Sequence, residues 1–209
     1  MNTKNILITA SGIAVTFIFL FFIYKLTNTP VKTEFPETNV VKPEDHKKWN
    51  AQSKNILVEY SDYQCPACNS LHNFLKELEK TATPDAQLVF RYFPLYQIHP
   101  QAFNAAYAAE AASIQGRFWE MSDLLFDNQA QWSRLAQPES YFIDLAKKLN
   151  LDLDKFKFDM LSQTVKDRIQ NDLSEGEKIG INSTPSLFLN GKKVEVKSNE
   201  ELKKLLFSL

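Results

Sequence analysis

Apolar residues are distributed in three different patterns along the chain. The first is a run, residues 6–24, that carries no charge over nineteen positions. About 20 such residues cross a bilayer as a helix. Lys4 and Lys25 flank the run, and no small-residue cleavage site follows it, so an uncleaved signal-anchor is expected over residues 1–25. Residues 26–50 keep no apolar period and contain Pro30, Pro36 and Pro43. They read as a polar tether near whose end His46 and Trp49 begin the folded part, with a solvated linker residue as the other reading of His46; the tether is assigned to 26–50 and the domain to 51–209.

The second pattern is short and dense. Residues 54–60 are rich in Ile, Leu, Val and Tyr and predict a buried strand. Cys68, Leu71, Leu75 and Leu78 then recur at spacings of three, four and three, which marks one face of a helix. Pro66 suits the first turn of that helix, where its missing N–H would be unpaired anyway. Thr83-Pro84-Asp85 ends it, and residues 87–93 predict a second strand stopped by Pro94. Strand, helix and strand at these lengths make a βαβ unit with a parallel pair and a right-handed crossover.

The third pattern is helical throughout. Helices are expected over residues 100–116, 117–128, 138–149, 153–161 and 164–179, with no convincing strand among them. Strands return at 186–189 and 193–196, joined by the hairpin signal Asn190-Gly191, and a helix at 199–207 closes the chain. The order β-α-β, helices, β-β-α is the thioredoxin order with an all-helical insertion at about 97–178. The predicted class is therefore α/β, thioredoxin-like, preceded by an N-terminal transmembrane helix.

Composition narrows the function. With 209 residues and 16 Phe the chain can bury a real core. Its 24 Lys and Arg are balanced by 25 Asp and Glu, so it has no basic footprint for nucleic acid. Two cysteines are too few for a disulfide scaffold. Both lie in Cys65-Pro66-Ala67-Cys68, where the first predicted strand turns into the first helix.

That position gives the two thiols unequal chemistry. A thiolate, not a thiol, attacks a disulfide. Cys65, at the helix N-terminus, faces unpaired N–H groups and the positive end of the dipole, so it is expected to be the exposed nucleophile. Cys68, on the apolar face, is expected to be more buried, with a higher pKa, and to resolve the mixed disulfide. Pro66 restricts the backbone between them, and Ala67 offers the thiolate no side-chain partner. Glu59, six residues before Cys65, either faces outward at a strand edge or is a buried carboxylate with a raised pKa that exchanges a proton with Cys68. Pro185 precedes a strand and is a candidate cis proline. In a thioredoxin-like fold its loop meets the Cys65 end of the helix, and the Thr184 backbone can pair with an extended substrate. Pro66, Ala67, Thr184 and Pro185 are the expected substrate-facing residues.

Other uses of the pair are weaker. A structural zinc site needs four ligands, and only His72 and His99 are placed to complete one; the strand-to-helix setting argues against it, and no metal or other cofactor is expected. A static disulfide closing so short a loop removes little chain entropy. A thioredoxin-fold binding module without chemistry is the rival of another class.

EYSDYQCPACNS, RYFPL-x-x-x-HP, AAYAAEAASIQGRFWEM and GINSTPSLFLNGKKV, in that order, resemble the DsbA-like thioredoxin family of bacterial disulfide oxidoreductases over residues 54–209. The resemblance implies a reversible Cys65–Cys68 disulfide that introduces disulfides into reduced or unfolded secreted proteins; the same pair can also serve a reductase or an isomerase. It matches Glu59 to the family's buried acid and Thr184-Pro185 to its cis-proline loop. Its best-known members carry a histidine where Ala67 stands, so the direction of electron flow stays open. It also implies a quinone-linked membrane oxidoreductase as the recycling partner. With the anchor at residues 6–24, the expected location is the cell membrane, single-pass, with the domain on the extracytoplasmic side.

Overall fold

The computed structural model describes the backbone of residues 3–27 and of 34–209 apart from 197, with the side chains of 13–25 in the first of these segments. The chain divides into two units, residues 1–33 and 34–209.

The first unit contains helix α1, Thr3–Thr27. Its described side chains are exposed all round, Phe17, Phe21 and Phe22 among them. Among the described residues no helix is long and apolar enough to cross a membrane. The expected span at residues 6–24 lies partly outside the described side chains, and residues 28–33 of the expected tether lie outside the described residues altogether.

The second unit begins at Glu34, not at 51, which corrects the expected extent of the tether. Phe35 is buried, and its N–H donates to the Gly191 carbonyl at 2.6 Å. Asp45 is buried against Arg91, with Nε to Oδ1 at 3.1 Å and Nη2 to Oδ2 at 2.9 Å. Strand β1, His46–Trp49, joins the sheet. His46 is not solvated: its ring stacks on Phe118 at 3.6 Å, and Nε2 lies 2.6 Å from Glu110 Oε2. The polar residues of this stretch are satisfied by partners far along the chain, so they read as a tether until those partners are known.

The remaining strands are β2, Ile56–Ser61; β3, Gln87–Tyr92; β4, Ser186–Leu189; and β5, Lys192–Lys193. Their order is β1-β3-β2-β4-β5. β2 pairs in parallel with β3 and antiparallel with β4, so Glu59 sits opposite Phe90 on one side and Leu187 on the other. Asn190 and Gly191 both take positive φ, 51° and 77°, the backbone that a two-residue hairpin requires.

Alternation along β2 sorts its side chains. Val58 and Tyr60 enter a cluster with Phe93, Leu173 and Phe188, under α8, Gln163–Lys178. Leu57 faces the other way, into a cluster with Leu71, Leu75 and Leu78 of α2, Pro66–Thr81, and with Leu202 and Leu206 of α9, Asn199–Leu206. Each of these buried leucines contributes about 1.5–3 kcal/mol. Glu59 and Ser61 share the face of Leu57, and α2 therefore covers them.

Between β3 and β4 the chain is helical: α3, Ala102–Ser113; α4, Phe118–Asp127; α5, Gln129–Trp132; α6, Glu139–Lys148; α7, Leu153–Leu161; and α8. Alanines 105, 108, 109 and 112 of α3 are buried and let neighbouring helices approach closely. This helical insertion in a thioredoxin-like fold is the one expected, with α5 as an addition too short to carry a period.

Candidate active site

Cys65 is the N-cap of α2, in extended backbone, and Pro66 opens the helix. Both cysteines are free thiols. Cys65 is 7% exposed and Cys68 0%. The order is as expected, but Cys65 shows only an edge to solvent, because the Thr184 loop lies over it. The Thr184–Pro185 bond is cis, and the Cys65 thiol faces the Thr184 carbonyl at 3.4 Å. Pro66 and Ala67 are exposed at the helix tip. A groove of about 750 Å³ beside them is lined by Ala67, Ser70, Leu71, Pro185, Leu187 and Leu202, with other residues. All four expected substrate-facing residues thus lie at one end of α2.

The two thiols are driven apart in acidity. The Cys65 pKa is lowered to about 5, first by hydrogen bonding with the Cys68 thiol, against the opposing cost of burial. The Thr184 hydroxyl and the backbone N–H groups of Cys68 and Ala67 add to the lowering. Ala67 contributes no side chain, as expected from its methyl group. Burial pushes the Cys68 thiol well up, and its interactions with Cys65 and Glu59 push the same way.

Glu59 is buried at 4% exposure behind Cys68, on the strand face that α2 covers. Of the two readings of its position, the inward one holds. Desolvation raises its pKa, opposed by the Ser61 hydroxyl and by the charges of His72 and Lys48. His72 and His99 do not approach the cysteines as ligands. His72 Nε2 lies 2.8 Å from Asp123 Oδ1, and His99 Nδ1 lies 2.7 Å from Asp62 Oδ2.

Three residues at the site are not among those expected from the sequence. Asp62 holds the turn before the cysteines: its carboxylate accepts from the N–H groups of Gln64 and Leu95 at 2.7 and 2.9 Å, and its own N–H points at Cys68 Sγ at 3.5 Å. Gln129, on α5, donates to the carbonyls of Tyr63 and Cys65 at 2.7 and 3.0 Å and ties the helical insertion to the site. Ser61 lies beside Glu59 and Cys68; the two-residue alternation of β2 was the signal that places it on the face of Glu59.

Comparison with known proteins gives the same frame. The α-DsbA2 thiol-disulfide exchange protein of Wolbachia pipientis superimposes with a TM-score of 0.69 at 18% identity, over 82% of this chain and 90% of that one. BdbD of Bacillus subtilis, in its oxidised form, also gives 0.69, at 19% identity, over 84% and 95%. A curated relative, the Na(+)/H(+) antiporter NhaA 1 of Mycolicibacterium vanbaalenii, is 33% identical over 183 residues, 84% of this chain but 28% of that one. The chain thus spans about a quarter of the length of the curated relatives it matches. Residues 43–207 match the family model described as Thioredoxin, and the chain, which has the fold of DsbA-type proteins, belongs to the thioredoxin family.

Proposed function

We propose that the protein is an extracytoplasmic thiol–disulfide oxidoreductase that donates the Cys65–Cys68 disulfide to reduced proteins. The observation that carries this reading is the unequal placement of the two thiols: Cys65 caps α2 beneath the cis Thr184–Pro185 loop, and Cys68 is sealed behind it, an arrangement that lowers the Cys65 pKa and raises that of Cys68. A stabilised Cys65 thiolate favours the reduced form, which makes the disulfide oxidising and supports donation over reduction.

In this scheme a substrate thiolate attacks Cys65 Sγ. The Cys65–Cys68 bond breaks, its electron pair leaves on Cys68, and a mixed disulfide joins Cys65 to the substrate. Cys68 takes a proton, for which the raised pKa of Glu59 makes it the donor. A second substrate thiolate then attacks the substrate sulfur and releases Cys65 as its stabilised thiolate. The exposed Ala67, the half-buried Pro185 and the groove beside them suit an extended peptide, whose backbone can pair with Thr184. No cofactor takes part beyond the disulfide itself, and a quinone-linked membrane oxidoreductase is the proposed acceptor that reoxidises it.

Residues 6–24 supply the anchor in this proposal. Their uncharged run and the all-round exposure of the described part of α1 support it. The antiporter names of the curated relatives support a domain that works beside a membrane. Protease treatment of intact cells should then remove the domain, whereas an internal domain would survive.

The test of the activity is Cys65→Ser. Oxidised wild-type protein should restore activity to a reduced, disulfide-dependent substrate enzyme, and Cys65→Ser should not. Equal activity in the variant would refute the reading.

A further inference from the structure

Glu59, Ser61 and Cys68 form a sealed polar pocket between β2 and α2. Glu59 and Ser61 stand two residues apart on one face of the central strand, 4% and 1% exposed, and α2 lays the fully buried Cys68 over them. The Asp62 N–H at 3.5 Å from Cys68 Sγ fixes that sulfur beside the residue following Ser61. Glu59 Oε1 and Ser61 Oγ are both fully buried, and neither has a hydrogen-bond partner of normal geometry among the described residues. Buried polar groups without a partner of normal geometry are costly, and two of them beside a reactive thiol are poorly explained as packing.

We propose that the Ser61 hydroxyl is a catalytic proton relay between the Glu59 carboxyl and the Cys68 sulfur. The proposal deepens the oxidoreductase reading and rests on it. The hydroxyl is the one group of the three that both donates and accepts. It acts on both neighbours, since it favours the ionised forms of Glu59 and Cys68 alike. When the Cys65–Cys68 bond opens, the electron pair arrives on Cys68 in a sealed pocket whose exclusion of water disfavours a thiolate. Ser61 gives its proton to Cys68 Sγ and takes one from the Glu59 carboxylic acid, which becomes a carboxylate. When the ring closes, the same two protons move back. No external oxidant or base is needed.

The charged groups that face Glu59 are His72 on α2 and Lys48 on β1. His72 is paired with Asp123, which also holds Lys76, and Lys48 with Glu79. Asp123 and Glu79 moderate the pull of the two cations and leave burial as the larger influence on the carboxyl.

The test is the rate at which a reduced model peptide opens the Cys65–Cys68 disulfide, followed by stopped-flow against pH in the full chain. General acid–base help is worth roughly 100-fold or more. Ser61→Ala should slow opening about 10- to 100-fold and abolish the dependence on the Glu59 ionisation, while Ser61→Thr, which keeps the hydroxyl, should restore both. The wild-type rate in mixtures of light and heavy water should curve as two protons in flight require. A Ser61→Ala rate and pH profile equal to wild type, with Glu59→Gln slow, would overturn the relay and leave Glu59 acting on Cys68 without it. Absence of peptide exchange in the wild type would instead overturn the oxidoreductase reading itself.

Discussion

Cys65 is held acidic by the Cys68 thiol, the Thr184 hydroxyl and two backbone N–H groups, while Ala67 supplies only its backbone. Loss of one hydrogen bond to a charged group costs about 1.5–3 kcal/mol. Thr184→Val should therefore raise the Cys65 pKa by about 1–2 units, read from thiolate ultraviolet absorbance against pH. The lowered pKa also acts on stability. A thiol that ionises more readily when folded stabilises the fold fully above its unfolded pKa, and that contribution disappears as pH falls through the folded value. The melting temperature of the reduced protein, measured relative to Cys65→Ser, should rise from about pH 5 toward pH 9 and show no such rise below pH 5. Glu59 has the opposite sign. Its raised pKa means that the fold loses stability as pH climbs through the folded value and the buried carboxyl charges. Glu59→Leu should stabilise the protein at neutral pH by about 1–3 kcal/mol in denaturant unfolding while slowing exchange. The unequal cysteines were legible in the sequence because a helix N-terminus and an apolar stripe are local facts. The Thr184 hydroxyl was not: the order of elements brings that loop to Cys65 from 119 positions away, but it does not show which side-chain atom acts on the sulfur.

At the scale of elements, β2, α2 and β3 follow from their own patterns: a dense apolar run, a three-four-three stripe and a second run stopped by proline. Close approach between elements does not show in such patterns. Gly176 sits inside α8, where alanine would ordinarily be favoured by about 1 kcal/mol. A Cβ there would lie 2.6 Å from the Phe93 ring and 3.3 Å from that of Tyr60, both packed in the core. Overpacking costs about 1–3 kcal/mol, so Gly176→Ala should lower stability in spite of its helix propensity, as a drop in the denaturant midpoint would record. Four-residue α5 had no period to read, yet its Gln129 supports the carbonyls of Tyr63 and Cys65.

For the whole molecule, the order of strands and helices was readable because most turns carry proline, glycine or asparagine. The start of the domain was not. Residues 34–50 are polar, and their burial depends on Arg91, Glu110 and Glu79, which no local pattern links to them. Removing one partner of a buried ion pair costs about 3–5 kcal/mol. Asp45→Ala should therefore destabilise the domain by that amount. By the same logic a chain beginning at Glu34 should melt cooperatively, and one beginning at Ala51, without β1, Phe35 and Asp45, should not.

A reversible disulfide between Cys65 and Cys68 is the centre of the proposed chemistry. Its most direct measurement is equilibration of the purified protein across a series of glutathione redox buffers, with free thiols trapped by alkylation and counted by mass. One two-electron transition is expected, in which both thiols disappear together, at a potential above the roughly −270 mV of thioredoxin. A Cys65–glutathione adduct that accumulates without ring closure, or two thiols that persist in every buffer, would contradict it.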